Sequence, residues 1–207
     1  MKYISRYIST INADFYINYF KEHNIFPIKS CFDIGSAAGV FVDKLNELGI
    51  KSEGIEQHAT EIQSKNVREG SFDESFTTPE KYDLISLPQV IYFLGDFESI
   101  CLKLKSMLNP KGVLFIVITP VEFKNKITFS GQKIFPLPTK SEIENICNKL
   151  GFDILDITSF QSNIGVAFNQ GKLKAIFRLL LFVTGMKKPI IKNPNGNNLY
   201  LLLKSKT

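Results

Sequence analysis

Apolar, β-branched runs alternate with amphipathic helical stretches along this chain. That alternation predicts an α/β protein whose mostly parallel sheet lies between layers of helices. Two local features sharpen the prediction. An apolar run from Ile28 to Ile34 ends in Gly35-Ser-Ala-Ala-Gly39 before a helical pattern begins, which reads as buried strand, tight turn and helix N-terminus. A second strand, Ser52 to Ile55, then ends at Glu56, about 20 residues beyond the first glycine, where an acid can accept ribose hydroxyls.

The 207 residues suit one domain, 1–207, large enough for a sizeable core. Hydrophobic residues make up 44% and charged residues 22%, the balance of a soluble globular protein. No apolar run reaches the ~18 residues of a membrane span. The start, Met1-Lys-Tyr-Ile-Ser-Arg, lacks the apolar stretch of a secretion signal. Cys31, Cys101 and Cys147 are isolated, without C-x-x-C spacing, and read as small core hydrophobes in a reducing compartment. A cytoplasmic protein without a metal site is the expectation. The net charge of +5 admits an anionic partner, but the lysines are scattered and no nucleic acid is expected.

Ile11, Phe15 and Tyr19, with Tyr16 and Phe20 alongside, predict a helix over about 9–22 within an N-terminal cap, 1–24. His23 at its end reads as a helix C-terminal cation. After the glycine turn, Phe41, Leu45 and Leu48 share one helical face. Gln57-His58 opens a second helix running toward Lys65, with His58 at the surface or the adenine edge, and a weak strand follows over 66–69. Residues 81–87 form a nearly continuous apolar run, as in a parallel strand buried on both faces. Residues 96–108 are an amphipathic helix with Phe97, Ile100, Leu104 and Leu108 on one face.

Asn109-Pro-Lys-Gly112 fits a type I turn into the strand 113–118. Residues 119–138, with Pro120, Gly131, Pro136 and Pro138, show no period and read as a lid. A helix over 141–150 ends at Gly151, and a strand covers 152–160. Residues 171–188 predict an apolar helix flanked by Lys172, Lys174, Arg178, Lys187 and Lys188. It packs on the sheet or at a homodimer contact, or it lies on a membrane surface near a lipid-linked substrate. A turn at 193–197 leads to a final strand, 199–203.

The glycine turn selects among nucleotide ligands. A dinucleotide site needs G-x-G-x-x-G so that backbone can approach a pyrophosphate, and here Ala37 and Ala38 place methyl groups in that approach. No Walker sequence exists. A turn that accepts ribose and adenine without a diphosphate suits S-adenosylmethionine. Asp33-Ile-Gly35-Ser-Ala-Ala-Gly39 with Glu56 downstream resembles motif I and the following acid of class I S-adenosylmethionine-dependent methyltransferases. The likeness is closest to the small-molecule O-methyltransferase-like branch of sugar and ubiquinone-pathway enzymes. The N-P-x-G turn before strand 113–118 and the L-G-F-x-I passage at 150–154 resemble the family as well.

This resemblance implies a three-layer Rossmann-like methyltransferase fold with a mostly parallel seven-stranded sheet whose last strand is antiparallel. It implies S-adenosyl-L-methionine as cofactor and methyl transfer to an oxygen of a small molecule, a sugar or a lipid- or prenyl-linked intermediate. By the same likeness Asp33 orients the methionine portion, and Gly35, Ser36, Ala37 and Gly39 form the turn beneath it. Glu56 and Gln57 serve the ribose side, Ser71 and Phe72 flank adenine, and Pro88 ends the strand beside them. Gln89 and Tyr92 would line the acceptor floor. The family's Glu-Val-Leu-Glu-His reads Gln89-Val-Ile-Tyr92-Phe93 here, so no Mg²⁺ site and no general base can be assigned. A catalytically silent cofactor-binding protein and, on charge alone, an RNA methyltransferase stay open as alternatives.

Overall fold

The computed structural model describes residues 2–58, 60–118, 128–129, 132–163, 181–182, 184 and 187–206. The central sheet opens with β1 (Ser30–Ile34), β2 (Lys51–Glu56), β3 (Val67–Glu69) and β4 (Tyr82–Pro88), followed by β5 (Leu108–Ile118). These five pair in parallel in the order β3-β2-β1-β4-β5. A two-stranded hairpin, β6 (Thr128–Phe129) with β7 (Gln132–Lys133), stands apart. β8 (Phe152–Ser162), β9 (Ile190–Lys192) and β10 (Asn198–Ser205) complete the main sheet. β10 inserts antiparallel between β5 and β8, and β9 pairs antiparallel with the outer edge of β8.

Strand alternation divides the core in two. Cys31, Leu84, Phe115 and Tyr200 point to the layer of α1 (Lys2–Glu22) and α2 (Val40–Glu47). Phe32, Ile85, Leu114 and Leu201 point to the opposite layer, formed by α4 (Phe97–Ser106) and α5 (Lys140–Lys149) with the short α3 (Ile91–Leu94) between β4 and α4. Leu84, Ile85, Leu114 and Leu201 are all 0% exposed, and each contributes about 1.5–3 kcal/mol by leaving water. On α1, Phe15, Tyr16, Tyr19 and Phe20 pack edge-on or tilted against Phe115, Phe160 and Tyr200. α1 therefore covers a face of the sheet.

The structure corrects four expectations. Among the described residues the main sheet has eight strands, not seven. The extra one is β9, whose three residues are too short to show an alternation in sequence. The helix predicted to open at Gln57 does not form among the described residues. Only ten positions, 57–66, separate β2 from β3, fewer than a helical crossover usually takes.

That link is held instead by polar contacts. Ser64 Oγ and Asn66 Nδ2 donate to Asp43 Oδ1 of α2, and Asn66 N–H donates to Ser64 Oγ at 3.0 Å. Leu48, expected on the buried face of α2, is 53% exposed because it is the C-cap. Gly49, at φ 79°, turns the chain, and Ile50 N–H donates to Leu45 O at 3.0 Å. Ile50, 5% exposed, takes the core place that Leu48 leaves, the hydrophobic contact of a Schellman ending. Finally, Lys111 has φ 64°, which a type II turn requires at its third residue and a type I turn does not allow.

The helix expected over 171–188 lies outside the described residues, except that Phe182 packs beside the α1 cluster. Most of 119–131 is likewise outside them. No helix among the described residues is long and apolar enough to cross a membrane.

Candidate active site at the strand switch point

From β1 the chain moves outward to β2 and β3, and it returns to the other side of β1 as β4. Parallel sheets bind ligands in the crevice outside the strand ends at such a reversal. A cavity of about 460 Å³ opens there, a size suited to a nucleoside-like ligand. Gly35, Glu56, Gly70 and Val90 line it, one from the end of each of β1, β2, β3 and β4. Ile34, Ile55, Phe72, Phe93 and Leu94 make most of its wall apolar, and Lys133 reaches it from β7.

The floor is a set of interlocked turns. Gly35 has φ 75°, and a Cβ there would lie 2.2 Å from Val90 Cγ1, so glycine lets the β4 loop close on the β1 turn. Ala37 also takes a left-handed conformation, φ 46°, which costs an alanine roughly 1–2 kcal/mol. Its N–H donates to Glu56 Oε2 at 2.9 Å, while Glu56 Oε1 accepts His58 N–H at 2.9 Å. The carboxylate is thus clamped at the cavity wall, 8% exposed, with further lone pairs free in principle for hydroxyl donors. Gly39 caps α2, and a Cβ there would strike Ser64 at 2.4 Å.

Beneath this floor Asp33 is 2% exposed. Ser86 Oγ donates to Asp33 Oδ1, and Ser36 Oγ donates to the Asp33 carbonyl at 2.7 Å. Burial pushes the Asp33 carboxyl up to about 7, although hydrogen bonding by Ser86 and Ser36 pulls the other way and the charge of Glu56 adds to the rise.

Of the residues singled out in sequence, Gly35, Glu56, Gln57, Ser71 and Phe72 line the cavity. Ser36, Ala37 and Gly39 build its floor and Asp33 supports that floor from beneath, none of them lining the cavity. Pro88 ends β4, and Gln89 is exposed at φ 63° with its N–H bonded to Val117 O at 2.8 Å. Tyr92 departs from its expected place on the acceptor floor. It is 4% exposed and belongs to the core, and the next two residues, Phe93 and Leu94, face the cavity instead.

The short α3 decides this, because one turn sends successive side chains in different directions. His58 lines the cavity rim, as its adenine-edge reading allows. His23 follows α1, its Nδ1 2.8 Å from Tyr19 O, and does not line this cavity. Asp73, Val90 and Lys133 were not foreseen as lining residues. Asp73 and Lys133 carried no spacing signal, and Val90 is recognisable only through its contact with Gly35.

Of the segment expected as a lid, 119–138, only residues 128–129 and 132–138 are among those described. Phe135 N–H donates to Tyr92 O at 2.9 Å, so the segment after β7 is pinned to α3 beside the cavity.

A family profile described as a methyltransferase domain matches residues 6–157. Comparison with curated proteins returned no match. Among solved structures, a SAM-dependent methyltransferase from Archaeoglobus fulgidus aligns with a TM-score of 0.60 and 18% identity, covering 97% of this chain and 94% of that one. An S-adenosylmethionine-dependent methyltransferase from Clostridium acetobutylicum ATCC 824 gives 0.61 at 11% identity, with 94% and 91% covered. The N-methyltransferase NodS from Bradyrhizobium japonicum WM9, in complex with S-adenosyl-L-homocysteine, gives 0.55 at 16% identity, with 87% and 79% covered. At these identities the structures speak for the fold, while the profile covers most of the chain. The chain belongs to the methyltransferase domain family and is an enzyme of that family.

Proposed function

We propose that the enzyme transfers the methyl group of S-adenosylmethionine to an oxygen of a small-molecule acceptor, a sugar or a lipid- or prenyl-linked compound, inside the switch-point cavity. The observation that carries the site assignment is Glu56, a clamped carboxylate facing an apolar cavity at the end of β2. A carboxylate there suits the two ribose hydroxyls of the cofactor. Ile55 and Phe72 offer apolar surface to a flat base, with Ser71 and Gln57 as polar neighbours. Asp33, Gly35, Ser36, Ala37 and Gly39 would keep the turn in shape under the methionine portion, and Pro88 would bound it from β4. The acceptor would enter beside Gln89, where Val90, Phe93 and Leu94 favour a partly apolar molecule.

The cofactor brings an already activated methyl group, so the chain's part is proximity, orientation and exclusion of water. The choice of oxygen rests on the sequence resemblance, and the apolar acceptor side supports a lipid- or prenyl-linked molecule. In this reading no divalent metal is needed and chelation leaves turnover intact. The test is a panel of sugar and prenyl-phenol acceptors incubated with S-adenosylmethionine, with S-adenosylhomocysteine release and product methylation both followed. Gln89→Ala and Phe93→Ala are expected to slow transfer while keeping S-adenosylhomocysteine affinity. Product methylated on nitrogen, or both variants at full turnover, would overturn the acceptor assignment.

A further inference from the structure

The wall formed by residues 70–76 has little backbone support of its own. Gly70 N–H donates to Glu56 O at 3.0 Å and Phe76 N–H to Asp73 O at 3.1 Å, after which the chain crosses to β4 without a helix among these residues. A side chain from a different layer holds it. Lys103 on α4 donates from Nζ to the Asp73 carbonyl and, at 3.2 Å, to the Glu74 carbonyl. The same ammonium lies 5.0 Å from the centroid of Phe72 and 5.9 Å from that of Phe76. Phe72 and Asp73 both line the cavity, and Phe76 stacks on Phe32 of β1 at 5.7 Å.

We infer that Lys103, which does not line the cavity itself, is a positioning residue that presets the Phe72–Asp73 wall for the cofactor. The inference rests on the cavity's being the cofactor site. Its physical basis is preorganisation. Two charge-assisted hydrogen bonds and a cation–π contact order the wall before a ligand arrives, so binding does not bear that ordering cost. Lys105, two residues on, makes an equivalent contact elsewhere, since its Nζ donates to the Leu150 and Gly151 carbonyls. It is therefore a control on the same helix.

The experiment is calorimetric titration of the full chain with S-adenosylhomocysteine, together with amide hydrogen exchange of the free protein. Lys103→Met is expected to weaken binding roughly tenfold, with Lys103→Arg restoring most of it. Exchange should quicken over 70–76 while β1 and β4 keep their protection. Lys105→Met should lower stability without changing affinity. Wild-type affinity in Lys103→Met, or a loss that comes with faster exchange across the whole sheet, overturns the inference alone. Failure of the wild type to bind S-adenosylhomocysteine overturns the site reading and this inference with it.

Discussion

Glu56 accepts the backbone N–H of Ala37 at 2.9 Å, tying the glycine turn after β1 to the end of β2. One carboxylate thereby fixes the cavity floor and presents an acceptor to the cavity. Replacing Glu56 by Ala removes both. S-adenosylhomocysteine affinity should fall by about 1.5–3 kcal/mol, the range of hydrogen bonds to a charged group. Calorimetry giving wild-type affinity would rule out the ribose role.

Gly35 touches Val90 so closely that a methyl group has no room, and its φ of 75° adds strain for any other residue. Gly35→Ala should destabilise the fold by about 1–3 kcal/mol and weaken cofactor binding. Trimming the opposing side chain in Gly35→Ala/Val90→Ala should recover part of the stability. Urea unfolding checks both, and an undiminished midpoint in the single variant would contradict the close approach.

Asp33 makes stability depend on pH with a definite sign. Its carboxyl is pushed up from 3.8 to about 7, so between these values the folded state binds more protons than the unfolded one. Stability then falls as pH rises through that window and levels off above it. The Asp33 contribution is on the order of 4 kcal/mol at most. In Asp33→Asn, which keeps a partner for Ser86 Oγ, this part of the slope should vanish. Unfolding midpoints at matched pH values for wild type and variant give the comparison, and identical slopes would refute the shift.

α1 is tied to β8 by Tyr19, whose Oη donates to Asp156 Oδ2 at 2.6 Å. Asp156 also accepts Thr158 Oγ1 at 2.8 Å and has His23 Nε2 within 3.5 Å. Tyr19→Phe should therefore cost about 1.5–3 kcal/mol of stability, leaving Asp156 partly satisfied. S-adenosylhomocysteine affinity should stay unchanged, because none of the residues found to line the cavity comes from α1. A large loss of affinity at unchanged stability would place α1 at the cofactor instead.

By itself the sequence determined the layers, the strand–turn–helix at 30–47 and the acid at position 56. Those are local or short-range facts: hydrophobic period, glycine placement and the residue that ends a strand. It also marked Gly35, Gln57, Ser71 and Phe72, which share one cavity in the fold. Tertiary structure alone decided the rest. β9 pairs with β8 because the chain returns to that edge, and a three-residue strand carries no pattern of its own. The link after Glu56 is too short for a crossover helix, whatever its helical spacing suggests.

Tyr92 turns into the core while Phe93 and Leu94 face the cavity, a choice made by a single turn of helix against the sheet. Asp33 is a buried support and not a wall residue, because β1 is covered on both faces. Val90 and Lys133 reach the site from segments 55 and 98 residues beyond Gly35. Such contacts depend on how layers pack in space, and no local spacing along the chain encodes them.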